Sequence, residues 1–192
     1  KKSDHLILLG DYIDRGDQSK EVIDFILDLH KTGFNITPLA GNHEVMLMDA
    51  YYNPALLPVW LMNNGLSTLL SFEIEDVEEM DDHYLEFFTT LEYFKVTDNF
   101  IFVHAGFDDL AVNPFSDKHS MIWECSLSYK NPILSQKTII HGHRPKTISY
   151  VKNLIREKSK VIPVDTGCIY ENRQGYGNLS ALEVNSMTLF SV

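Results

Sequence analysis

The chain has 192 residues, 44% apolar and 22% charged, with a formal net charge of −11. Those values suit a soluble globular protein with room for a proper core, and the acidic balance argues against grip on nucleic-acid phosphates or on an anionic membrane surface. Its longest uncharged apolar stretches are only a few residues, too short for a transmembrane helix. Its two cysteines, Cys125 and Cys168, cannot make a disulfide framework, so a reducing cytoplasmic setting is expected.

His5-Leu6-Ile7-Leu8-Leu9 is a nearly continuous apolar run stopped by Gly10, the pattern of a buried parallel strand. From Ser19 to His30, Val22, Ile23, Ile26, Leu27 and His30 recur at helical spacing, and Gly33 is a helix stop. Asn35 to Ala40 reads as a second strand ended by Gly41. Strand, helix and strand with short links make a βαβ unit with parallel strands. Glu44 to about Glu92 reads as mostly helical, broken at Pro54, Pro58 and Gly65, with Val77 to Leu91 as a helix and the acidic Glu73–Asp82 stretch as its solvated face.

Farther on, Tyr93–Val96 and Phe100–His104 frame Asp98-Asn99 as a hairpin. Thr138–Ile140 is a short strand leading into His141-Gly142-His143. Ser149–Val151, Lys160–Val164, Leu179–Val184 and Thr188–Ser191 all read as β. The expected fold class is α/β (α+β): two packed mixed sheets flanked by helices, in one domain spanning 1–192.

The polar groups fall at strand ends. Asp11 follows the first strand after one glycine, Asn42 follows the second after one glycine, and His104 and His143 follow two later strands. In α/β sheets, sites form outside the carboxyl ends of strands, so these groups can converge although far apart in sequence. A set of carboxylate, amide and imidazole suits Mn²⁺, Fe²⁺ or Zn²⁺ rather than Ca²⁺ or a zinc–thiolate site. Plainer readings exist for each piece. Asp-x-x-Asp-Arg-Gly alone is equally an ion-paired turn. Gly-Asn-His-Glu alone is a helix start, with Asn42 as cap and Glu44 favouring the dipole. His104 alone is more often a core histidine. Their joint occurrence at one kind of topological position is what points to a site.

The ordered set Gly10-Asp11-Tyr12-Ile13-Asp14-Arg15-Gly16, Gly41-Asn42-His43-Glu44, Val103-His104-Ala105-Gly106, Gly142-His143-Arg144-Pro145 and Val164-Asp165-Thr166-Gly167 resembles the calcineurin-like metallophosphoesterases. Within them it is most similar to the branch of bacterial and phage serine/threonine protein phosphatases and dinucleoside tetraphosphatases. The resemblance implies a four-layer sandwich of two sheets flanked by helices, two divalent metal ions, manganese first and iron or zinc as alternatives, and hydrolysis of phosphate esters. It implies Asp11 as the carboxylate bridging both metals, with Asn42, His104 and His143 as the remaining ligands of the second. Water activated by the metals would attack phosphorus in line. His43 is implied as the general acid, Asp14 as the partner that orients it, and Arg15 as the fork gripping phosphate, with Asn42 and His43 also touching it. His141, two residues before His143, is left open.

Three departures qualify the match. The family opens with an Asp-x-His motif upstream of the first Asp, and only ten residues precede Asp11 here. The expectation is a missing N-terminal strand; the alternative is a chain that holds one metal and is inactive. Close relatives carry a second phosphate-gripping Arg shortly after the Trp matching Trp123, and Met121–Ser126 has none, leaving Arg144 as a substitute. Cys125 lies near the expected site and is expected to be buried and inert rather than a redox-sensitive thiol. The leading function is a phosphomonoesterase acting on phosphoserine or phosphothreonine in proteins, or on a small phosphoester. The alternatives are a dinucleoside polyphosphatase, whose base could stack on Tyr51, Tyr52 or Trp60, although such aromatics are more often core or surface packing, and a non-catalytic binding domain.

Overall fold

The computed structural model describes residues 3–192, and the chain divides into two units, Lys1–Glu92 and Tyr93–Val192. In the first, β1 (His5–Leu8) and β2 (Asn35–Pro38) pair in parallel, with Leu6 opposite Ile36 and Ile7 opposite Thr37. The helix α1 (Ser19–Lys31) connects them, which makes the expected βαβ unit. It buries Ile23 and Ile26 on one face, and Gly33, at φ 79°, ends it by donating to the His30 carbonyl. β2 is shorter than its sequence suggests, because Pro38 cannot donate to a ladder. Leu39 still donates to the Leu8 carbonyl and forms a parallel bridge with Glu92.

The helical stretch comprises α2 (Asn42–Tyr52), α3 (Leu57–Trp60), α4 (Leu66–Phe72) and α5 (Asp82–Thr90). Pro54 opens a single tight turn capped by the Asn53 side chain, and Pro58 sits in the first turn of α3, where a missing N–H costs nothing. Between α3 and α4, Leu61–Gly65 forms a widened turn in which Asn64 adopts φ 72°. The expected single helix over 77–91 is divided: Asp76 caps a turn at Val77–Glu79, Met80 is extended, and α5 starts afresh at Asp82. Tyr84 of α5 donates its hydroxyl to Asp24 of α1 at 2.6 Å, tying the insertion to the βαβ unit.

The second unit holds a four-stranded sheet in the order β3 (Phe94–Val96), β4 (Phe100–Val103), β5 (Thr138–His141), β6 (Val161–Pro163). β3 and β4 are the expected antiparallel hairpin, while β4, β5 and β6 run parallel. The parallel strands are almost wholly apolar, as burial on both faces requires. Ile101, Val103 and Ile139 pack with Phe107, Met121 and Leu134 into one core. Two helices complete it, α6 (Lys118–Trp123), which the sequence reading did not mark, and α7 (Ile148–Arg156). The strand expected at Ser149–Val151 is thus a helix. Thr147 caps it by accepting from the Tyr150 N–H, and Val151 is the residue its inner face buries. β7 (Ser180–Glu183) and β8 (Thr188–Ser191) form a separate antiparallel hairpin. No helix among the described residues is long and apolar enough to cross a membrane.

Candidate active site

The loop after β1 is built from unusual backbone. Gly10 has φ 91°, and Asp11, Asp14 and Arg15 all lie in the left-handed region at 59°, 69° and 64°. For residues with a Cβ that conformation costs on the order of 1 kcal/mol or more each, so the surroundings must over-determine it. Glu44 does much of this. Its buried carboxylate accepts the backbone N–H groups of Asp11 (2.9 Å), Tyr12 (2.7 Å) and Gly41 (2.8 Å). Each such bond to a charged acceptor contributes roughly 1.5–3 kcal/mol, offset in part because burial, then the Asp11 charge, pushes the Glu44 pKa up to about 7. The Tyr12 hydroxyl adds a second brace, accepting from Gly10 N–H at 3.1 Å and donating to the Leu39 carbonyl at 2.7 Å. Burial, then the Glu44 charge, pushes the phenol well above its ordinary range, which keeps it a donor.

Glu44 is the third residue of α2, and its bond to Gly41 N–H is the return half of a capping box. The cap itself is Gly41, not Asn42, which is the first helical residue. Gly41 is required for space. A Cβ there would run into the Asp11 carboxylate and backbone and lie 2.7 Å from Glu44 Oε2. The close approach brings Asp11 to the helix N-terminus, where its Oδ1 accepts the His43 N–H at 3.4 Å.

His43 and Asp14 form the best-defined pair. Nδ1 of His43 lies 2.6 Å from Oδ2 of Asp14, with both side chains at 1% or less exposure. The carboxylate can only accept here, so the imidazole carries its proton on Nδ1 toward Asp14. Nε2 is then the free end of the ring, and among the described residues it is buried with no hydrogen-bond partner. A buried ring nitrogen left unpaired is costly unless a ligand supplies the partner. Asp14 also accepts from Trp60 Nε1, at 3.0 and 3.2 Å to its two oxygens, and from Thr68 Oγ1 at 2.6 Å. Trp60, offered by the sequence as a stacking surface for a base, is instead fully buried and bonded to Asp14. Tyr51 is half-buried against Tyr52, which is exposed. Arg15 is exposed beside Asp14, and Asn42 is buried at the start of α2.

In the second unit, His104 follows the end of β4 and His143 lies two residues beyond β5, both at the carboxyl edge of the same sheet. Gly142 N–H donates to the His104 carbonyl at 2.8 Å, and His143 turns through φ 66°. His104 Nε2 and His143 Nδ1 then stand 3.1 Å apart. Two imidazoles bound cis to one ion, with metal–nitrogen bonds of about 2.0–2.1 Å, place their nitrogens roughly 3 to 3.4 Å apart. The histidine pair therefore fits a divalent metal. Trp123 meets the His143 ring edge-on at 5.8 Å.

His141 has a different character. It is buried in β5 and its Nδ1 lies 3.1 Å from the Gly142 carbonyl, to which it donates. Burial, with His104 and Lys146 adding to it, pushes its pKa down to about 4, so it is neutral near pH 7. Cys125 is half-buried, and burial raises its thiol pKa even with Arg144 and Lys146 nearby, which makes it a poor thiolate. The partners the sequence did not signal are Trp60 at the end of α3 and Thr68 in the first turn of α4, both of which reach Asp14 from the helical insertion.

A family model described as calcineurin-like phosphoesterase matches residues 1–167. A zinc-dependent endopolyphosphatase of Saccharomyces cerevisiae is 40% identical over 70 residues, 36% of this chain and 20% of that protein, so the match spans about a fifth of that relative's length. Among solved structures, a candidate diadenosine tetraphosphatase matches with a TM-score of 0.62 at 16% identity, over 99% of this chain and 80% of that one. A metallophosphoesterase from Sphaerobacter thermophilus matches at 0.56 and 15% identity, over 98% and 77%. At these identities the structures speak to fold, and the mixed α/β architecture agrees with them. The length of the family match settles the assignment: the chain belongs to the calcineurin-like phosphoesterases, metal-dependent hydrolases of phosphoesters.

Proposed function

We propose that this chain hydrolyses phosphomonoesters, with phosphoserine or phosphothreonine in proteins as substrate. The observation that carries the reading is the buried Asp14–His43 pair with its unpartnered Nε2. A general acid needs a fixed ring, a defined proton and one nitrogen left for the substrate. Asp14 fixes the ring by holding Nδ1–H and stabilises the imidazolium that forms when Nε2 takes a proton from water; Nε2–H then passes that proton to the departing alkoxide and returns to the neutral ring. Arg15, exposed beside Asp14, offers its planar fork to two phosphate oxygens.

Asp11, Asn42, His104 and His143 are the residues that would hold divalent metal, and the His104–His143 spacing supports this choice. When bound, metal supplies charge that polarises the phosphate and lowers the pKa of water. Manganese is proposed first, with zinc and iron as alternatives. Glu44 keeps Asp11 in place, and Gly41 gives it room.

A dinucleoside polyphosphatase remains the second reading, supported by the exposed Tyr52 ring as a platform for a base. The test is a substrate panel with Mn²⁺, Zn²⁺ or Fe²⁺: a phosphothreonine peptide, a dinucleoside tetraphosphate, a short polyphosphate and an aryl phosphate, with Asn42→Ala as control. Phosphopeptide turnover lost in the control supports the proposal. Turnover of the dinucleotide alone moves the assignment to the second reading, and no turnover of any substrate supports a binding domain.

A further inference from the structure

We infer that Trp60 and Thr68 are positioning residues for the Asp14–His43 pair, forming a clamp that aims the general acid. This rests on the reading of His43 as that acid. The clamp lies wholly within the first unit and consists of buried groups: Trp60 and Thr68 are both 0% exposed. Thr68 holds Asp14 at two points. Its Oγ1 accepts the Asp14 backbone N–H at 2.9 Å and donates to Asp14 Oδ1 at 2.6 Å. The backbone N–H can only donate and the carboxylate can only accept, so the hydroxyl proton goes to the carboxylate at 2.6 Å, with the Ser19 hydroxyl a longer contact at 3.4 Å. One hydroxyl therefore fixes both a left-handed main-chain residue and the direction of its side chain. Trp60 closes the other side, its Nε1–H shared between Oδ1 and Oδ2 at 3.2 and 3.0 Å.

The helical insertion is shaped to allow this. The widened turn Leu61–Gly65 sits between the two clamp residues, and Gly65 leaves space for the indole. A Cβ on Gly65 would lie 2.6 Å from Trp60 Cδ2. An anion with no exposed surface and three donors is held in one orientation, and the imidazole bonded to it inherits that orientation. Packing alone would be served by phenylalanine and valine at these positions; the hydrogen-bond geometry would not.

The test uses leaving-group sensitivity. A general acid matters for phenyl phosphate, whose leaving group must be protonated, and hardly at all for 2,4-dinitrophenyl phosphate, whose phenolate departs unaided. In Trp60→Phe and Thr68→Val, kcat for phenyl phosphate should fall on the order of 10-fold or more, with KM unchanged. The kcat for the dinitrophenyl ester should change less than about 2-fold. The ratio of the two rates in one sample does not depend on the folded fraction, so partial unfolding cannot mimic the effect. Thr68→Ser, which restores the hydroxyl, should recover the wild-type ratio. His43→Asn is the reference and should show the same selectivity more strongly. If His43→Asn is selective and the clamp variants lose both activities equally or neither, the positioning role is wrong while the acid stands. If His43→Asn itself shows no selectivity, the acid assignment falls and the clamp's role falls with it.

Discussion

Glu44 and Asp11 are joined through main chain rather than side chain: the Glu44 carboxylate accepts the Asp11 N–H at 2.9 Å. A residue that opens one helix thereby sets the backbone of the loop carrying Asp11, a proposed metal ligand. The fourth residue of the Gly-Asn-His-Glu motif is thus architectural, while the two before it are the ones proposed for the chemistry.

Glu44→Gln keeps the volume but sets an amide NH₂ against backbone donors. It should destabilise the fold by about 2–4 kcal/mol, as loss of buried charge-assisted bonds does. Urea denaturation of the metal-free protein checks this; a change below about 0.5 kcal/mol would show that the loop holds its conformation without the carboxylate.

Gly41→Ala tests space alone, since Gly41 has an ordinary φ of −96°. The new methyl must displace Asp11 or Glu44, so a loss of roughly 1–3 kcal/mol is expected, together with weaker metal binding. Isothermal titration with Mn²⁺ reads the second effect.

His141 predicts a pH dependence. Its folded pKa of about 4 lies below the ordinary 6.5, so the unfolded chain binds the extra proton between those values. Its contribution is fully present above pH 6.5 and is lost as pH falls toward 4, at about 1.4 kcal/mol per unit. The stability curve of His141→Asn should be flatter than wild type across that window. Parallel curves would mean that His141 is not held neutral.

Much of this was readable from the sequence where the determinants are local. The apolar run at His5–Leu9, the periodicity of α1 and the stop at Gly33 gave the βαβ unit, because strand burial and helix amphipathicity are short-range patterns. The strand-end pattern likewise singles out Asp11, Asn42, His104 and His143, and each of them does follow a strand: β1, β2, β4 and β5. Ser149–Val151 misled because three β-tolerant residues outweighed the Thr147 cap just before them. Trp60 reads from sequence as a packing ring first and a stacking platform second, neither of which pairs it with Asp14, and Thr68 carries no signal. Their roles depend on Asp14, 46 and 54 positions away, a separation that neither periodicity nor a local motif encodes.

The most direct test of the account is His43→Asn, measured for Mn²⁺ binding by titration and for Mn²⁺-dependent turnover of phenyl phosphate. The account predicts metal affinity within about 3-fold of wild type and a fall in kcat of about 100-fold or more, the usual contribution of a general acid. Wild-type turnover in the variant would contradict the role given to the Asp14–His43 pair.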